Sequence, residues 1–235
     1  MTCPICGGTE KHLGDIPFDR NLFNVPIVYT TPMAYYICDV CEYISCPEML
    51  AWSSTKFSTD IYNEDYIKYD PDYLGPRAAS VASSLLNSIH PLKTQKLNHL
   101  DYGSGCGRLS EILEANNIKS TSYDPYSDTK VISGKFNFIT AVEVFEHSSN
   151  IRATLSDIKS KLSSDGVVLF TTLLGNKNTS IEWDYLLPRN GHISILSEKS
   201  IKFLAKEVGL FFSSINYNYH ILQPSRSNLK GILGW

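Results

Sequence analysis

From residue 97 onward the apolar and polar positions switch repeatedly between two periods. LNHLDY (97–102) is a short apolar run that predicts a strand, and RLSEILEANN (108–117) spaces its apolar residues as a helix does, with Asn116-Asn117 suited to its end. KSTSYD (119–124) predicts a second strand closing on Asp124, and FNFITAVE (136–143) a third. NIRATLSDIKSKLSSDG (150–166) reads as a helix stopped by Asp165-Gly166, followed by the β-branched and aromatic run VVLFTTLL (167–174). SEKSIKFLAKEVG (197–209) predicts a helix capped by Ser197 and stopped at Gly209, and LFFSSINYNYHI (210–221) one or two final strands. Strand and helix in alternation predict an α/β fold: a Rossmann-like, doubly wound, mostly parallel sheet that binds ligands beyond the carboxyl ends of its strands.

Upstream the pattern changes. RAASVASSLLNSI (77–89) has the spacing of an amphipathic helix ending near Pro91, and it follows a tyrosine-rich stretch, 57–77, interrupted by Pro71 and Pro76. The first 55 residues lack long periodic runs and carry five of the six cysteines. The predicted organisation is a small module over 1–55, a tyrosine-rich lid segment and helix over 56–95, and an α/β core over 96–235.

Cysteine spacing gives the first module its chemistry. CPIC (3–6) and CDVC (38–41) are two C-x-x-C pairs that can turn the thiolates of Cys3, Cys6, Cys38 and Cys41 onto one tetrahedral zinc ion, with the long intervening segment as a hairpin. A thioredoxin-like redox role would need a strand and helix around one pair, and none is predicted there. Cys46 is an alternative ligand, and Cys106 reads as a small residue in a turn.

Charge and hydropathy narrow the partners. The chain has 21 basic and 24 acidic side chains and a net charge of −3, which gives no general attraction to nucleic acid or anionic membrane. Through residue 55 the acids Glu10, Asp15, Asp19, Asp39, Glu42 and Glu48 face only Lys11 and Arg20, so the module is not a basic nucleic-acid ribbon and is expected to shape a pocket or an interface. No run reaches the roughly 18 apolar residues of a membrane span, and MTCPICGG lacks a signal peptide's layout; a cytoplasmic protein with reduced thiols is expected.

Between the first core strand and its helix lies DYGSGCG (101–107), with Asp101 followed by Gly103, Gly105 and Gly107. Alternate glycines serve a tight turn, or they clear the backbone for a ligand. The spacing differs from the G-x-G-x-x-G that brings a helix N-terminus to a pyrophosphate, and it lets a ligand without phosphate lie on the backbone. Asp124, ending the second strand, can accept both hydrogen bonds of a ribose diol. Taken together, these residues resemble the fingerprint of class I S-adenosylmethionine-dependent methyltransferases over roughly residues 60–222. The resemblance implies cofactor contacts at Asp101, Gly103, Gly105, Gly107 and Asp124, with Glu143 starting the loop under the sulfonium. It further implies a lid over the cofactor among Tyr62, Tyr66, Tyr69 and Arg77, where an aromatic face suits a cation. The chain departs from the family between Asp124 and Phe136: too few residues remain for a third strand and its helix, and the acid that usually meets adenine has no counterpart.

Candidate acceptor chemistry lies in Glu143-x-x-Glu146-His147 together with His192 in PRNGHISILS. This set resembles the divalent-metal site of small-RNA 2′-O-methyltransferases and the same E-x-x-E-H of some quinone-pathway O-methyltransferases, and it also resembles the Glu-His of class I enzymes that use no metal. Glu146, His147 and His192 are therefore read first as general base or acceptor contacts, with ligation of a second divalent ion and a purely structural pairing as the alternatives. His12, His90, His99 and His220 lack such company. A cysteine ribbon ahead of a class I core resembles sugar- and polysaccharide-pathway methyltransferases, which implies a small carbohydrate acceptor methylated at oxygen or carbon. RNA methylation and a non-catalytic binding protein on the same fold are the alternatives. Trp183 and Tyr185, in the loop before the last helix, are offered for stacking on the acceptor.

Overall fold

A computed structural model describes residues 1–28, 31–88, 97–127 and 132–224. By the density of contacts the chain forms two compact units, Met1–Pro71 with Phe145–Thr154 and Thr172–Leu204, and Asp72–Val144 with Leu155–Thr171 and Ala205–Trp235.

The second unit holds the main sheet. Its strands are β4 (Asn98–Tyr102), β5 (Lys119–Tyr123), β6 (Phe136–Val142), β7 (Leu162–Thr171), β9 (Phe211–Ser214) and β10 (Tyr219–Gln223), hydrogen-bonded in the order β5-β4-β6-β7-β10-β9. β4 pairs in parallel with β5 and β6, and β6 with β7, whereas β10 runs antiparallel to β7 and β9. The sheet is the mixed α/β, mostly parallel type expected. Helices α4 (Pro76–Ser88) and α5 (Arg108–Ala115) supply Val81, Ala82, Leu85, Leu109 and Leu113 to an apolar cluster with Leu97, Phe138, Val167 and Ile221. The shortage of residues after Asp124 has a direct consequence: among the described residues no strand lies outside β5, which ends the sheet.

Helix α6 (Ile151–Lys161) stops sooner than its sequence predicts, because Leu162–Gly166 already belong to β7. Here pairing wins over helical propensity. Leu162 lies opposite Phe136 in a register that shifts before Phe138, and a Cβ on Gly166 would come 3.0 Å from the Phe136 carbonyl oxygen. Position 166 is thus a site of close backbone approach within a strand, where it had read as a helix stop.

The first unit is built on β1 (Glu10–Pro17), β2 (Pro32–Cys38), β3 (Ile44–Ser45) and β8 (Ser194–Ile195), all antiparallel neighbours in that order. Two residues from far along the chain therefore complete the N-terminal sheet, which local patterning could not announce. Short helices α1 (Pro47–Leu50), α2 (Ser54–Asp60) and α3 (Tyr66–Tyr69) pack around it. The apolar cluster joins Ile16, Tyr35, Ile44, Met49 and Ile61 to Leu186, Ile193 and Ile195.

The last helix, α7 (Glu198–Glu207), begins as its sequence predicts. Ser197 Oγ accepts the Ser200 amide at 3.0 Å while the Ser197 amide donates to Ser200 Oγ at 2.8 Å, a reciprocal cap. Ser197 Oγ also donates to the Cys41 carbonyl, so one buried hydroxyl holds both the helix start and the second cysteine turn. Ser197→Ala is expected to cost about 2 kcal/mol, at the upper end for a cap because it also leaves a buried acceptor bare; urea unfolding of the two proteins measures it.

Candidate functional site

The glycine loop answers the question its spacing raised. Gly103, Gly105 and Gly107 all take left-handed φ, at +71°, +52° and +79°. At Gly103 packing also demands glycine, because a Cβ would sit 2.5 Å from Val144 Cγ2. Gly105 is different: it is exposed, and the first atom a Cβ would meet is Tyr73 Cε2 at 3.7 Å. Its backbone lies in the left-handed region that glycine enters freely, with the Tyr73 ring at ordinary contact distance over it. Tyr73, beside it, was not singled out by the sequence; aromatic content alone does not distinguish it from its neighbours.

Asp124 closes the loop from β5. One carboxylate oxygen accepts the Gly105 amide at 3.1 Å and the other the Tyr126 amide at 2.9 Å. The Gly103 amide donates to the Tyr123 carbonyl at 2.8 Å, so the loop is tied to the end of β5 by backbone and side chain together. A cavity of about 290 Å³ opens beside the loop, lined by Ser104, Gly105, Gly107, Ser110, Ser120 and Ser122 among others.

Asp101 is nearly sealed from solvent at 3% exposure. Burial pushes its carboxyl up to about 7; the Thr140 hydroxyl, 2.9 Å away, pulls the other way, and the charge of Asp124 adds to the rise. Behind it lies His99, which sequence reading had passed over. It is fully buried between Ser120 Oγ at 2.7 Å and Thr140 Oγ1 at 2.9 Å, and burial pushes its imidazole down to about 3. A histidine inside an apolar strand carries no sign in the sequence of what faces it from two other strands.

Glu143, at the end of β6, holds φ +50°, unusual for a side chain of its size. Thr171 enforces it: the Thr171 hydroxyl donates to Glu143 Oε1 at 2.8 Å and accepts the Glu143 amide at 3.0 Å. Arg77 is half-buried in the first turn of α4. In the other unit, Tyr66 is buried with its hydroxyl 3.3 Å from both Asp70 Oδ2 and the Asn190 carbonyl oxygen.

Glu146, His147 and His192 come together within the first unit, each offering a ligand atom within 4.8 Å of the others. Glu146 and His147 sit in a 3₁₀ turn, Phe145–His147, and His192 follows Pro188–Asn190, a second 3₁₀ turn. The rings of His147 and His192 meet edge-on at 5.1 Å. Gly191, at φ +84°, permits this: a Cβ there would stand 3.0 Å from His147 Nδ1. Tyr185 organises the group. Its hydroxyl donates to Glu146 Oε1, its carbonyl lies 2.7 Å from His192 Nδ1, and its ring packs on His192 at 4.4 Å. With both face and hydroxyl engaged, Tyr185 is not the stacking platform its loop position suggested. Trp183, half-buried against it at 5.3 Å, is the remaining aromatic of that loop. The Tyr35 hydroxyl donates to the His192 carbonyl at 2.8 Å, fixing the backbone of the histidine from the N-terminal sheet.

Cys3, Cys6, Cys38 and Cys41 also converge, their sulfurs all within 4.8 Å of one another. Cys3–Cys41 and Cys6–Cys38 are 3.6 and 3.5 Å apart, near the roughly 3.8 Å edge of a tetrahedron whose centre is about 2.3 Å from each sulfur, so the donor set fits zinc. Cys46 lies outside the group, buried in the apolar cluster with its thiol pushed up to about 11 by burial. Both cysteine turns are anchored: Arg152 donates to the carbonyls of Pro4 and Ile5 at 2.8 and 2.7 Å, and Lys199 pairs with Glu42 at 2.7 Å. His90 lies outside the described residues, and His12 pairs with Asp15 at the surface.

A glycine loop between β4 and α5, pinned by the acid that ends β5, on this strand order, defines a class I S-adenosylmethionine-dependent methyltransferase. Residues 74–211 match the family described as "Methyltransferase domain", more than half of the chain, and the chain belongs to that family. No curated protein matches it in sequence. Among solved structures, an O-methyltransferase family protein from Burkholderia thailandensis is 11% identical with a TM-score of 0.51, over 77% of this chain and 67% of that one. DesVI from Streptomyces venezuelae is 13% identical with a TM-score of 0.47, over 71% of this chain and 98% of that one. Magnesium protoporphyrin IX methyltransferase from Synechocystis PCC 6803, solved with bound S-adenosylmethionine, is 15% identical with a TM-score of 0.42, over 62% and 76%. At these identities the likeness is one of fold. Among the described residues no helix is long and apolar enough to cross a membrane.

Two expectations follow. Gly103→Ala should cost about 2–4 kcal/mol through the Val144 clash and the left-handed φ, while Gly75→Ala, whose Cβ meets nothing within 4 Å, should stay within about 0.5 kcal/mol; chemical denaturation separates them. Elemental analysis of the purified protein should find about one zinc per chain, and Cys38→Ser should abolish it.

Proposed function

We propose that this methyltransferase modifies a small carbohydrate, a sugar or glycan precursor, at oxygen or carbon. The reading rests on the arrangement around His192. The Tyr185 carbonyl can only accept a hydrogen bond, so its 2.7 Å contact with Nδ1 places the ring proton there. Nε2 then carries the lone pair, which is the form of histidine that takes a proton from a hydroxyl. Glu146, held by Tyr185, supplies a negative charge that stabilises the imidazolium formed, and His147 orients the acceptor.

S-adenosylmethionine supplies a methyl group on a cationic sulfur, already activated for displacement. The chain's own part is to bind and align. In this reading Asp124 accepts the ribose hydroxyls with the lone pairs its amide contacts leave open, and the backbone at Gly103, Gly105 and Gly107 lies against the cofactor. Asp101 answers the charge of the cofactor's amino-acid end, Glu143 borders the sulfonium, and Tyr66 and Arg77 belong to the lid segment. The zinc ribbon over 1–55 serves as scaffold: through Tyr35 and the β3–β8 pairing it sets the backbone on either side of His192.

A second reading has a specific observation in its favour. Glu146, His147 and His192 offer one oxygen and two nitrogens within 4.8 Å, a donor set suited to a divalent cation, which would hold an acceptor's oxygens and lower their pKa. That chemistry serves a ribose 2′-hydroxyl as well as a sugar diol, but the acidic N-terminal module and the net charge of −3 weigh against RNA as the acceptor.

Asp124→Ala is expected to weaken S-adenosylhomocysteine binding about 100-fold, by the loss of two charge-assisted hydrogen bonds; calorimetry measures it, and unchanged affinity would remove the ribose assignment. His192→Gln should lower turnover about 100- to 1,000-fold with little change in that affinity, as loss of a general base does. The acceptor class is tested by following labelled methyl from the cofactor into nucleotide-sugars, glycans and RNA. Label in RNA alone, retained in a salt-dependent way, would replace the carbohydrate reading.

A further inference from the structure

Five side chains in the second unit form one unbroken line of hydrogen bonds: Asp101 to Thr140 at 2.9 Å, Thr140 to His99 Nε2 at 2.9 Å, His99 Nδ1 to Ser120 at 2.7 Å, and Ser120 to Ser110 at 2.8 Å. All five are buried, at 8% exposure or less. One end is the acid of the cofactor cradle. The other end, Ser110 and Ser120, lines the cavity beside the glycine loop.

Proton counting makes this line a two-state element. Each hydroxyl donates one proton, and a neutral imidazole donates from one nitrogen and accepts at the other. Thr140 is placed to donate to Asp101 and Ser120 to Ser110, and a neutral His99, with one ring proton, can serve only one of these two directions at a time. In one arrangement Ser120 donates to Ser110 and accepts from His99 Nδ1–H. Nε2 then carries a lone pair, which Thr140 can satisfy only by turning its hydroxyl away from Asp101, and the acid must itself hold a proton to complete the line. In the alternative, Thr140 donates to an ionised Asp101, His99 donates from Nε2, and Ser120 and Ser110 both reverse. The two arrangements differ by one proton. As each group passes a proton to the next, that proton leaves Asp101 for Thr140, and one is released from Ser110 at the cavity. His99 trades its Nδ1 proton for one on Nε2 without becoming charged.

We propose that this line is a proton path, with His99 as its tautomeric switch, that loads and unloads the buried acid of the cofactor cradle through the cavity beside α5. His99 reaches no ligand and acts through Thr140; it is a positioning residue. The purpose of the path rests on the reading that Asp101 serves the cofactor, whereas its existence does not. The surroundings leave the acid's proton to the path. Asp124 at the end of β5 is the ionisable group facing Asp101, and β6 presents Thr140. α4 brings Val81, Ala82 and Leu85, the Phe138 ring covers His99 at 5.2 Å, and Glu111 and Glu114 of α5 lie at the cavity end. The sign of the pH effect follows. Asp101 is protonated below about 7 and ionised above it, and the ionised form favours the ammonium group of the cofactor's amino-acid end, so affinity rises with pH through that range.

The test uses the full chain labelled with ¹⁵N. Long-range ¹H–¹⁵N spectra of the His99 ring, from about pH 5.5 to about pH 8.5, are expected to show Nδ1–H giving way to Nε2–H with one midpoint. Calorimetric affinity for S-adenosylhomocysteine is expected to tighten about tenfold across the same midpoint, the effect of a one-unit change in the acid's pKa. Thr140→Val cuts the line and should freeze the ring in one tautomer at every pH, and Thr140→Ser should restore the switch. A ring that keeps one tautomer throughout in the unaltered protein, or that still switches in Thr140→Val, overturns the proposal. S-adenosylhomocysteine failing to bind at any pH would sink the cofactor reading instead, and the ring titration of the ligand-free protein would still decide the proton path.

Discussion

The second unit depends on one connection: the loop between β4 and α5, bent into left-handed backbone and fastened to the end of β5. The Tyr123 carbonyl and the Asp124 carboxylate accept amides from Gly103 and Gly105, so two parallel strands end in one rigid feature. Glycine makes the left-handed turns without the steric cost a Cβ would bring, and Val144 packs where the Cβ of any other residue at position 103 would stand. The exposed middle glycine has the Tyr73 ring as its neighbour, and its amide is held by the Asp124 carboxylate. A pre-formed backbone surface of this kind binds without first having to be ordered.

The first unit reaches its rigidity by different means. Its sheet is small, so it borrows β8 from the far part of the chain and holds both cysteine turns with Arg152, Lys199 and Ser197. The same borrowed segment carries His192. The ring of that histidine is fixed by a Tyr185 carbonyl and its backbone by the Tyr35 hydroxyl, so the N-terminal module and the histidine share one framework. In the proposed role as a base such double fixing would matter, because an ångström of misplacement costs more than any single hydrogen bond contributes.

Much of this was legible in the chain. The alternation from residue 97 onward marked every strand of the main sheet, because half-buried strands and amphipathic helices must repeat at different periods. The shortage of residues after Asp124 left no length for a full third strand and its helix, and among the described residues β5 ends the sheet. The glycine loop and each C-x-x-C turn are matters of local geometry, while the two cysteine turns meet because β1 pairs with β2, with Glu10 opposite Cys38. The helix predicted to run to Gly166 was the clearest miss. Lys161 and Leu162 have no local reason to part, and the boundary is set by the pairing of Leu162 with Phe136 from another strand.

By itself the sequence determined the elements, their alternation, the two cysteine turns and the glycine loop with its two acids. Each of these is a matter of short-range backbone geometry and local polarity. Tertiary structure alone decided that β8 belongs to the N-terminal sheet, that Tyr185 holds Glu146 and His192 through two different atoms, and that His99 lies between Thr140 and Ser120. Apart from the Tyr185–His192 contact, seven positions apart, those arrangements join residues at least 21 positions apart, and a buried polar group takes its character from whichever partners the packed sheet sets against it.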